Sequence, residues 1–293
     1  MLWIRYAGLE AGGHRGDVTI TDFSGISNDL RLDRTDRLGR HGQMAGKDYI
    51  SKRVWTMTLT TLANDENGAV ALASQWERVV LDDDVMLSSE LAMLEYSRDR
   101  QTWYRVYGRP SDYAGPDLGD HTREGAGDIV LQFEQLDPWH YSEHSEQVSI
   151  PVARSASGGA RIPMRFPVSF ARSGGTVDRW GTNSGEKPAP VTLRFDGPVS
   201  DPEVELQGQW SFRVRGSLAW DEYLVIDQQD TTATIYSTTS DQSRAAYSMI
   251  RTGSRFTDLV MPPGQHAFTF RALDPTFTAS MTASWPHTFA SMQ

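Results

Sequence analysis

Residues 39–81 read GRHGQMAGKDYISKRVWTMTLTTLANDENGAVALASQWERVVL and contain a strand pattern followed by a helix pattern. Apolar and hydroxyl-bearing side chains alternate in the first part, where Trp55, Met57 and Leu59 interleave with Thr56, Thr58 and Thr60. Because side chains alternate across a strand, residues 53–61 are predicted to form a half-buried β-strand. Apolar residues then recur at helical spacing after the cap candidates Asn64 and Asp65, which predicts one amphipathic helix over residues 67–81.

The composition is that of a folded protein without thiol chemistry. Hydrophobic residues make up 39% of the 293 residues and aromatic residues 10%, which argues against disorder. The absence of cysteine excludes disulfides, thiolate metal sites and a cysteine nucleophile. A net charge of -10 argues against wrapping nucleic acid, which requires clustered Lys and Arg. Neither a secretion signal nor a membrane span is expected, because no apolar run is long enough.

A polar segment over residues 24–40 carries arginines spaced three apart: Arg31, Arg34, Arg37 and Arg40. The spacing is compatible with a phosphate-binding row, with a self-paired loop or arm, or with an arm that contacts another subunit. Asp33 and Asp36 lie between the arginines and cancel much of their field, which favours the self-paired loop or arm.

The remainder of the chain is predicted to be mainly β. Residues 82–84, all Asp, are interpreted as a solvated turn, residues 85–96 as a strand and residues 109–127 as an exposed loop. A Ser-, Gly- and Arg-rich connection follows, with an extended piece at residues 166–170. Beyond it, short strands separated by Gly, Pro and Asp turns predict a β-sandwich or jelly roll.

Several short motifs occur in a recognisable order. They are Asp137-Pro138-Trp139 with Tyr141-Ser142, Thr182-Asn183-Ser184-Gly185, Glu222-Tyr223-Leu224-Val225-Ile226-Asp227, and Leu259-Val260-Met261-Pro262-Pro263-Gly264. Together with residues 39–81 they resemble the distal tail (Dit) proteins of siphophages. Asp221 replaces the glycine that is usual in that family before the glutamate, and the asparagine usual after Pro-Gly is also replaced.

The resemblance implies a two-domain structural protein of the virion, located at the phage tail tip and assembled in the host cytoplasm. Residues 1–146 would form a β-rich ring-forming (belt) domain with one helix, and residues 147–293 a galectin-like β-sandwich. Six copies would close into a hexameric ring, a baseplate hub with a central channel through which DNA passes without specific binding. The implied partners are other copies of the chain, the tail tube protein, the tape-measure protein and the tail-tip or fibre protein, with no cofactor and no membrane insertion.

The resemblance also directs attention to interface candidates, since the loop at residues 39–50 would reach a neighbour or the tube. The candidates are Gly46, Lys47, Asp48, Tyr49, Thr58 and Thr60.

No catalytic arrangement is predicted. A P-loop, a dinucleotide fingerprint, a G-x-S-x-G elbow and an H-E-x-x-H zinc motif are all missing from the sequence. His140 and His144 lie four apart, but Pro138 and an extended context argue against a helical metal pair. A glycosidase would need paired carboxylates, for which Asp221 with Glu222 is the closest candidate beside Glu203 with Glu205.

The alternative function is a carbohydrate-binding module that recognises host cell-wall glycan. Tryptophan rings stack on sugars when they are exposed, and they fill cores when they are buried. The glycan-stacking candidates in the second half are Trp180, Trp220 and Trp285.

Overall fold

The computed structural model describes residues 2–13, 16–117, 119–152 and 178–293. They divide into two compact units, of which the first extends to Glu143 and includes Phe289–Gln293, and the second is His144–Thr288. Antiparallel strands dominate both units, so the predicted mainly β fold with one long helix is confirmed. The extended piece predicted at residues 166–170 lies outside the described residues. Within the described ranges, no helix is long and apolar enough to cross a membrane.

The first unit is built on a twisted antiparallel sheet. Its strands are β1 (Trp3–Tyr6), β2 (Leu9–Gly12), β3 (Val18–Arg31), β4 (Arg34–Asp36), β5 (Gln43–Ala45), β6 (Tyr49–Leu62), β7 (Ala92–Ser97), β8 (Tyr104–Ala114), β9 (Ala126–Gln135) and the beginning of β10 (His140–Pro151). The main sheet has the order β3-β6-β9-β8-β7-β1-β2, and the first residues of β10 also pair with β8. Strands β4 and β5 form a separate two-stranded ribbon.

One long helix, α1 (Glu66–Val80), covers the inner face of this sheet. Asp65 caps its first turn, because the Asp65 carboxylate accepts a 2.8 Å hydrogen bond from the backbone N–H of Gly68. Its buried residues are Ala69, Ala73, Trp76 and Val80. The last three belong to the same apolar core as the buried Trp55, Met57 and Leu59 of β6. The predicted strand and helix are both confirmed, with longer strand bounds and a helix that begins one residue early.

The segment after α1 differs from its prediction. Residues 83–87 form a short helix, α2 (Asp83–Leu87), and β7 begins only at Ala92, so a strand from residue 85 is wrong. Asp82 caps this helix by accepting a 3.0 Å bond from the N–H of Asp84. The acidic run is therefore a helix start and not a plain turn, because Asp at the N-cap and in the first turn favours a helix.

The predicted loop at residues 109–127 is partly regular. Strand β8 continues to Ala114, and a third helix, α3 (Asp120–Arg123), precedes β9. Pro110 is tolerated in β8 because its pairing with β9 is irregular between Pro110 and Asp112. Gly108 pairs regularly, and a Cβ there would overlap the Glu134 carbonyl oxygen.

The second unit is a β-sandwich. Its remaining strands are β11 (Asp178–Asn183), β12 (Ala189–Pro190), β13 (Thr192–Asp196), β14 (Val199–Leu206), β15 (Trp210–Arg213), β16 (Ser217–Leu218), β17 (Glu222–Asp227), β18 (Thr232–Ser237), β19 (Ser243–Ala245), β20 (Val260–Met261), β21 (Gly264–Leu273) and β22 (Ser280–Phe289). One sheet runs β19-β18-β17-β13-β22, and the other β11-β21-β14-β15 with β16 beside β14. Their facing side chains share one apolar core, in which the rings of Phe195 and Phe270 lie 6.0 Å apart.

Candidate assembly interface

A long β-hairpin extends beyond the main sheet of the first unit. Strand β9 ends at Gln135 opposite Arg53, so among the described strands the residues of β6 before Arg53 pair with β3 alone. The ribbon β4–β5 continues the hairpin to a turn at residues 37–42. Gly39 and Gly42 adopt positive φ angles of 69° and 96° there, which favour glycine. We call this extension, residues 29–52, the arm.

The arm is held in shape by its own polar contacts. The Arg34 guanidinium donates two hydrogen bonds to the Asp48 carboxylate, Nη1 to Oδ1 at 2.8 Å and Nη2 to Oδ2 at 2.9 Å. Asp48 also accepts from the backbone N–H of Asp33 at 3.1 Å. These hydrogen bonds lower the pKa of Asp48, and the bonds from Arg34 contribute most. The carboxylate therefore stays charged. Three interpretations were open for the evenly spaced arginines. Arg34 fits the self-paired arm, because it is paired with Asp48 of the same arm.

Gly46 and Asp48, two of the interface candidates, therefore make structural contacts within the arm. A Cβ at Gly46 would overlap the Asp33 side chain, and the Gly46 N–H donates to the Asp33 carbonyl at 2.8 Å. Lys47 and Tyr49 are exposed on the same segment, with the Arg31 guanidinium 5.0 Å from the Tyr49 ring centroid. The structure thus brings four of the six candidates together on one strand connection.

The arm exposes more apolar surface than its polar sequence suggests. Leu38 at the turn is 100% exposed, and four others are about half-exposed: Leu30, Leu32, Met44 and Tyr49. Sequence reasoning missed the leucines and Met44. The only signal in the sequence was that Leu30 and Leu32 alternate with the charged residues Asp29, Arg31 and Asp33. Exposed apolar side chains gathered on one projecting element are typical of a protein contact surface.

The arm also differs in charge from the rest of the chain. Residues 29–52 contain six Lys or Arg and four Asp or Glu, a formal charge of +2, whereas the whole chain carries -10. The remaining residues therefore carry -12 together. A basic element on an acidic protein is electrostatically complementary to a second copy of the same protein.

Thr58 and Thr60 lie apart from the arm, on the outer face of the main sheet. Opposite them in β9 are Val130 and Asp128, and the Thr60 hydroxyl donates to Asp128 Oδ1 at 2.6 Å. Both threonines are half-buried. The six candidates thus occupy two places on the first unit, and the outer-face pair is already engaged with neighbouring strands.

A buried polar network lies where the arm meets the sheet. Arg53 is buried and donates from Nη1 to His140 Nε2 at 3.0 Å and from Nη2 to the Ala290 carbonyl at 2.8 Å. Because arginine has only donors, Nε2 of His140 is the acceptor, and its proton is on Nδ1, 2.9 Å from the Tyr96 hydroxyl. Burial, and secondarily the Arg53 charge, lower the pKa of His140 to about 3. His140 is therefore a neutral structural residue.

The tryptophans proposed for glycan stacking separate into two groups. Trp180 is 62% exposed and Trp220 74%, whereas Trp285 is only 1% exposed. Trp285 stacks on Phe268 at 5.3 Å in the sandwich core, and its Nε1 donates to the Thr182 carbonyl. Trp285 is corrected to a core residue, because its ring has no free face for a sugar.

Three of the four carboxylates considered for glycosidase chemistry are paired with arginines, and the fourth, Asp221, accepts hydrogen bonds from the Ser237 and Thr239 hydroxyls. Glu203 lies 2.9 Å from Arg213 Nε, and Glu205 lies 3.1 Å from Arg271 Nη1. Glu222 likewise pairs with Arg244 at 2.7 Å. Within the described ranges, no group of three or more His, Asp or Glu side chains is arranged to hold a metal ion.

Comparison with solved structures places the fold among phage tail proteins. The chain is similar to the SPP1 Dit protein (gp 19.1), described as a paradigm of the hub adsorption apparatus in phages that infect Gram-positive bacteria, with a TM-score of 0.62, 12% identity and 99% coverage of both chains. It is similar to a chain of the phage P2 baseplate in its activated conformation with Ca, with a TM-score of 0.57, 11% identity and coverage of 97% and 98%. The Sr form of that baseplate gives 0.57, 12% and 97% of each chain. No family model and no curated protein matches the chain.

Proposed function

We propose that this chain is a siphophage distal tail protein of the Dit family, a structural virion protein that joins the tail tube to the host-recognition apparatus at the tail tip. The observation that carries the proposal is the likeness to the SPP1 Dit hub protein over 99% of both chains. A likeness confined to one β-sandwich would be uninformative, because sandwiches serve many functions. Similarity that extends over both units supports a shared role more specifically.

Six copies close into a ring around a channel for DNA in this proposal. A closed ring of identical subunits requires that one surface of each copy meets a different surface on its neighbour. The arm supplies one of these surfaces. Its exposed leucines are available for burial, and its charge of +2 is attracted to the acidic remainder of the next copy.

The other proposed partners follow from the position of a distal tail ring. The tail tube and tape-measure proteins would lie on one side and the tail-tip or fibre protein on the other, with DNA passing through unbound. The role is structural and not enzymatic, which is compatible with the arginine-paired carboxylates of the second unit.

The proposal is tested by the mass of the purified chain in solution. One copy weighs 32.7 kDa, so six weigh about 200 kDa. Light scattering and negative-stain images are expected to show that mass and rings with a central hole. If the isolated chain is monomeric, the same measurement is made after mixing with the tail tube protein, which offers a template for ring closure. A chain that stays monomeric and unbound in that mixture would contradict the proposal.

A further inference from the structure

The second unit contains a small polar cleft at the end of strands β17, β18 and β19. Its volume is about 250 Å³, below the ~300–1,000 Å³ typical of sites for drug-sized ligands, so it has room for a small ring. Ile235 contributes an apolar side chain to the lining. The other lining groups are hydroxyl, amide and charged side chains, among them Ser237, Thr239, Ser240 and Gln242.

The charged groups of the cleft are held in place by hydrogen bonds. Asp221 Oδ2 accepts from the Thr239 hydroxyl at 2.8 Å and from the Ser237 hydroxyl at 3.3 Å. Glu222 pairs with Arg244 Nη1 at 2.7 Å and also accepts from the N–H of Ala219 at 2.9 Å. Such fixed donors and acceptors lose little conformational entropy when they bind a ligand.

An exposed aromatic ring belongs to the same turn. The Glu222 N–H donates to the Ala219 carbonyl at 3.1 Å, which closes a turn over Trp220 and Asp221. Asp221 and Glu222 of this turn line the cleft. Trp220 belongs to the same turn, and its side chain is 74% exposed. Trp220 does not line the cleft itself but directly precedes its residue Asp221 in the chain, and a large apolar ring left in solvent is typical of a binding surface.

We infer that this cleft, with Trp220, binds one ring of a neutral or amino sugar. Sugar hydroxyls both donate and accept hydrogen bonds, which matches a lining with carboxylate acceptors, hydroxyls, an amide and a guanidinium. The apolar face of a sugar ring stacks on indole. Two carboxylates against one guanidinium leave the cleft net negative, which disfavours phosphorylated, sulfated or carboxylated sugars. This site is separate from the arm and adds glycan recognition to the connector role.

Saturation-transfer NMR on the full chain tests this inference. The probes are glucose, galactose, N-acetylglucosamine and glucosamine at millimolar concentration, with glucose 6-phosphate as the anionic comparison. At least one neutral or amino sugar is expected to bind with a millimolar Kd, and glucose 6-phosphate more weakly than glucose. Trp220→Ala is expected to weaken binding about threefold to tenfold, the effect of a lost aromatic stack.

Two further variants locate the site. Ser240→Tyr fills the cleft from an exposed position and is expected to abolish binding. Trp180→Ala removes another exposed indole, from edge strand β11, and is expected to leave binding unchanged. Failure of all four sugars to bind would overturn the inference. So would loss of binding in Trp180→Ala with retention in the other two variants, or binding that disappears with EDTA, which would assign the cleft to a cation. The ring mass of the same samples separates these results from the connector proposal.

Discussion

Arg34 and Asp48 join the two sides of the arm through a doubly hydrogen-bonded ion pair, with N–O distances of 2.8 and 2.9 Å. Both side chains of the pair are exposed to solvent, and exposed ion pairs add little to the global stability of a protein. Its effect is therefore local: it holds the β4–β5 ribbon against the base of the arm. This gives a first way to separate the arm from the fold that carries it.

Arg34→Ala is expected to loosen the arm without changing the thermal midpoint of the protein. The Asp48 carboxylate loses the partner that contributes most to its lowered pKa, and the arm loses a cross-connection. Limited proteolysis should then cut faster within residues 29–52, while the melting curve stays the same. Arg37→Ala, an exposed arginine of the same arm, is the control and should be cut at the original rate. Equal cutting of both variants would show that the pair does not hold the arm.

Leu38→Asp is expected to weaken ring formation on the order of tenfold, the effect of losing an apolar anchor at an interface. Leu38 is 100% exposed, so the charge costs the isolated subunit nothing. Light scattering over a concentration series measures the change. Leu87→Asp, at a residue that is 83% exposed at the end of α2, provides the matched control outside the arm. If both variants assemble like the original chain, the arm is not the contact surface.

Trp285→Ala is expected to destabilise the second unit by about 3–5 kcal/mol, the usual cost of truncating a buried aromatic side chain. Trp285 is 1% exposed and touches Phe268, whereas Trp180 is 62% exposed. Trp180→Ala should therefore change the free energy of unfolding by no more than about 0.5 kcal/mol. Denaturant titration followed by circular dichroism compares the two. A mild Trp285→Ala phenotype would contradict the burial of this ring.

Acid is expected to destabilise the first unit through His140. Its pKa is about 3 in the folded protein and 6.5 as its ordinary value, so the unfolded chain binds the proton more tightly. The stability contribution of neutral His140 is complete above pH 6.5 and is lost as the pH falls toward 3. His140→Gln keeps an acceptor for Arg53 and should flatten the pH dependence of unfolding in this window. His121→Gln, an exposed histidine of α3, should leave the profile unchanged; a similar flattening there would refute the assignment.

The channel of an assembled ring is expected to be lined by acidic side chains. The chain carries -10 overall, and an acidic lining would let DNA pass without adhering to the wall. The basic residues of the arm should accordingly lie against the neighbouring subunit and not along the channel. The surface potential of an experimental ring structure checks this directly, and a basic lumen would refute it.

The exposure of the segment with Lys47 and Tyr49 could be predicted from local sequence, whereas its contact with a neighbouring subunit stays a prediction. Lys47 and Tyr49 were predicted near a contact surface and do lie exposed on the arm. The missed residues, Leu30 and Leu38 among them, have no motif, and whether an isolated leucine is exposed depends on what packs over it. Trp285 differs, because it follows Met281 and Ala283 at two-residue spacing on the buried face of β22, so its burial had a local signal.

The sequence by itself determined the strand of Trp55, Met57 and Leu59, the capped helix after Asp65 and the mainly β character, since periodicity and capping act between near neighbours. Only the tertiary structure decided that the pairing of β6 with β9 begins at Arg53, so that the residues of β6 before Arg53 belong to the arm. It also decided that Asp221, Glu222 and Arg244 share a cleft. Those outcomes depend on which distant strands pair and where each partner ends, and long-range pairing leaves no periodic trace in the chain.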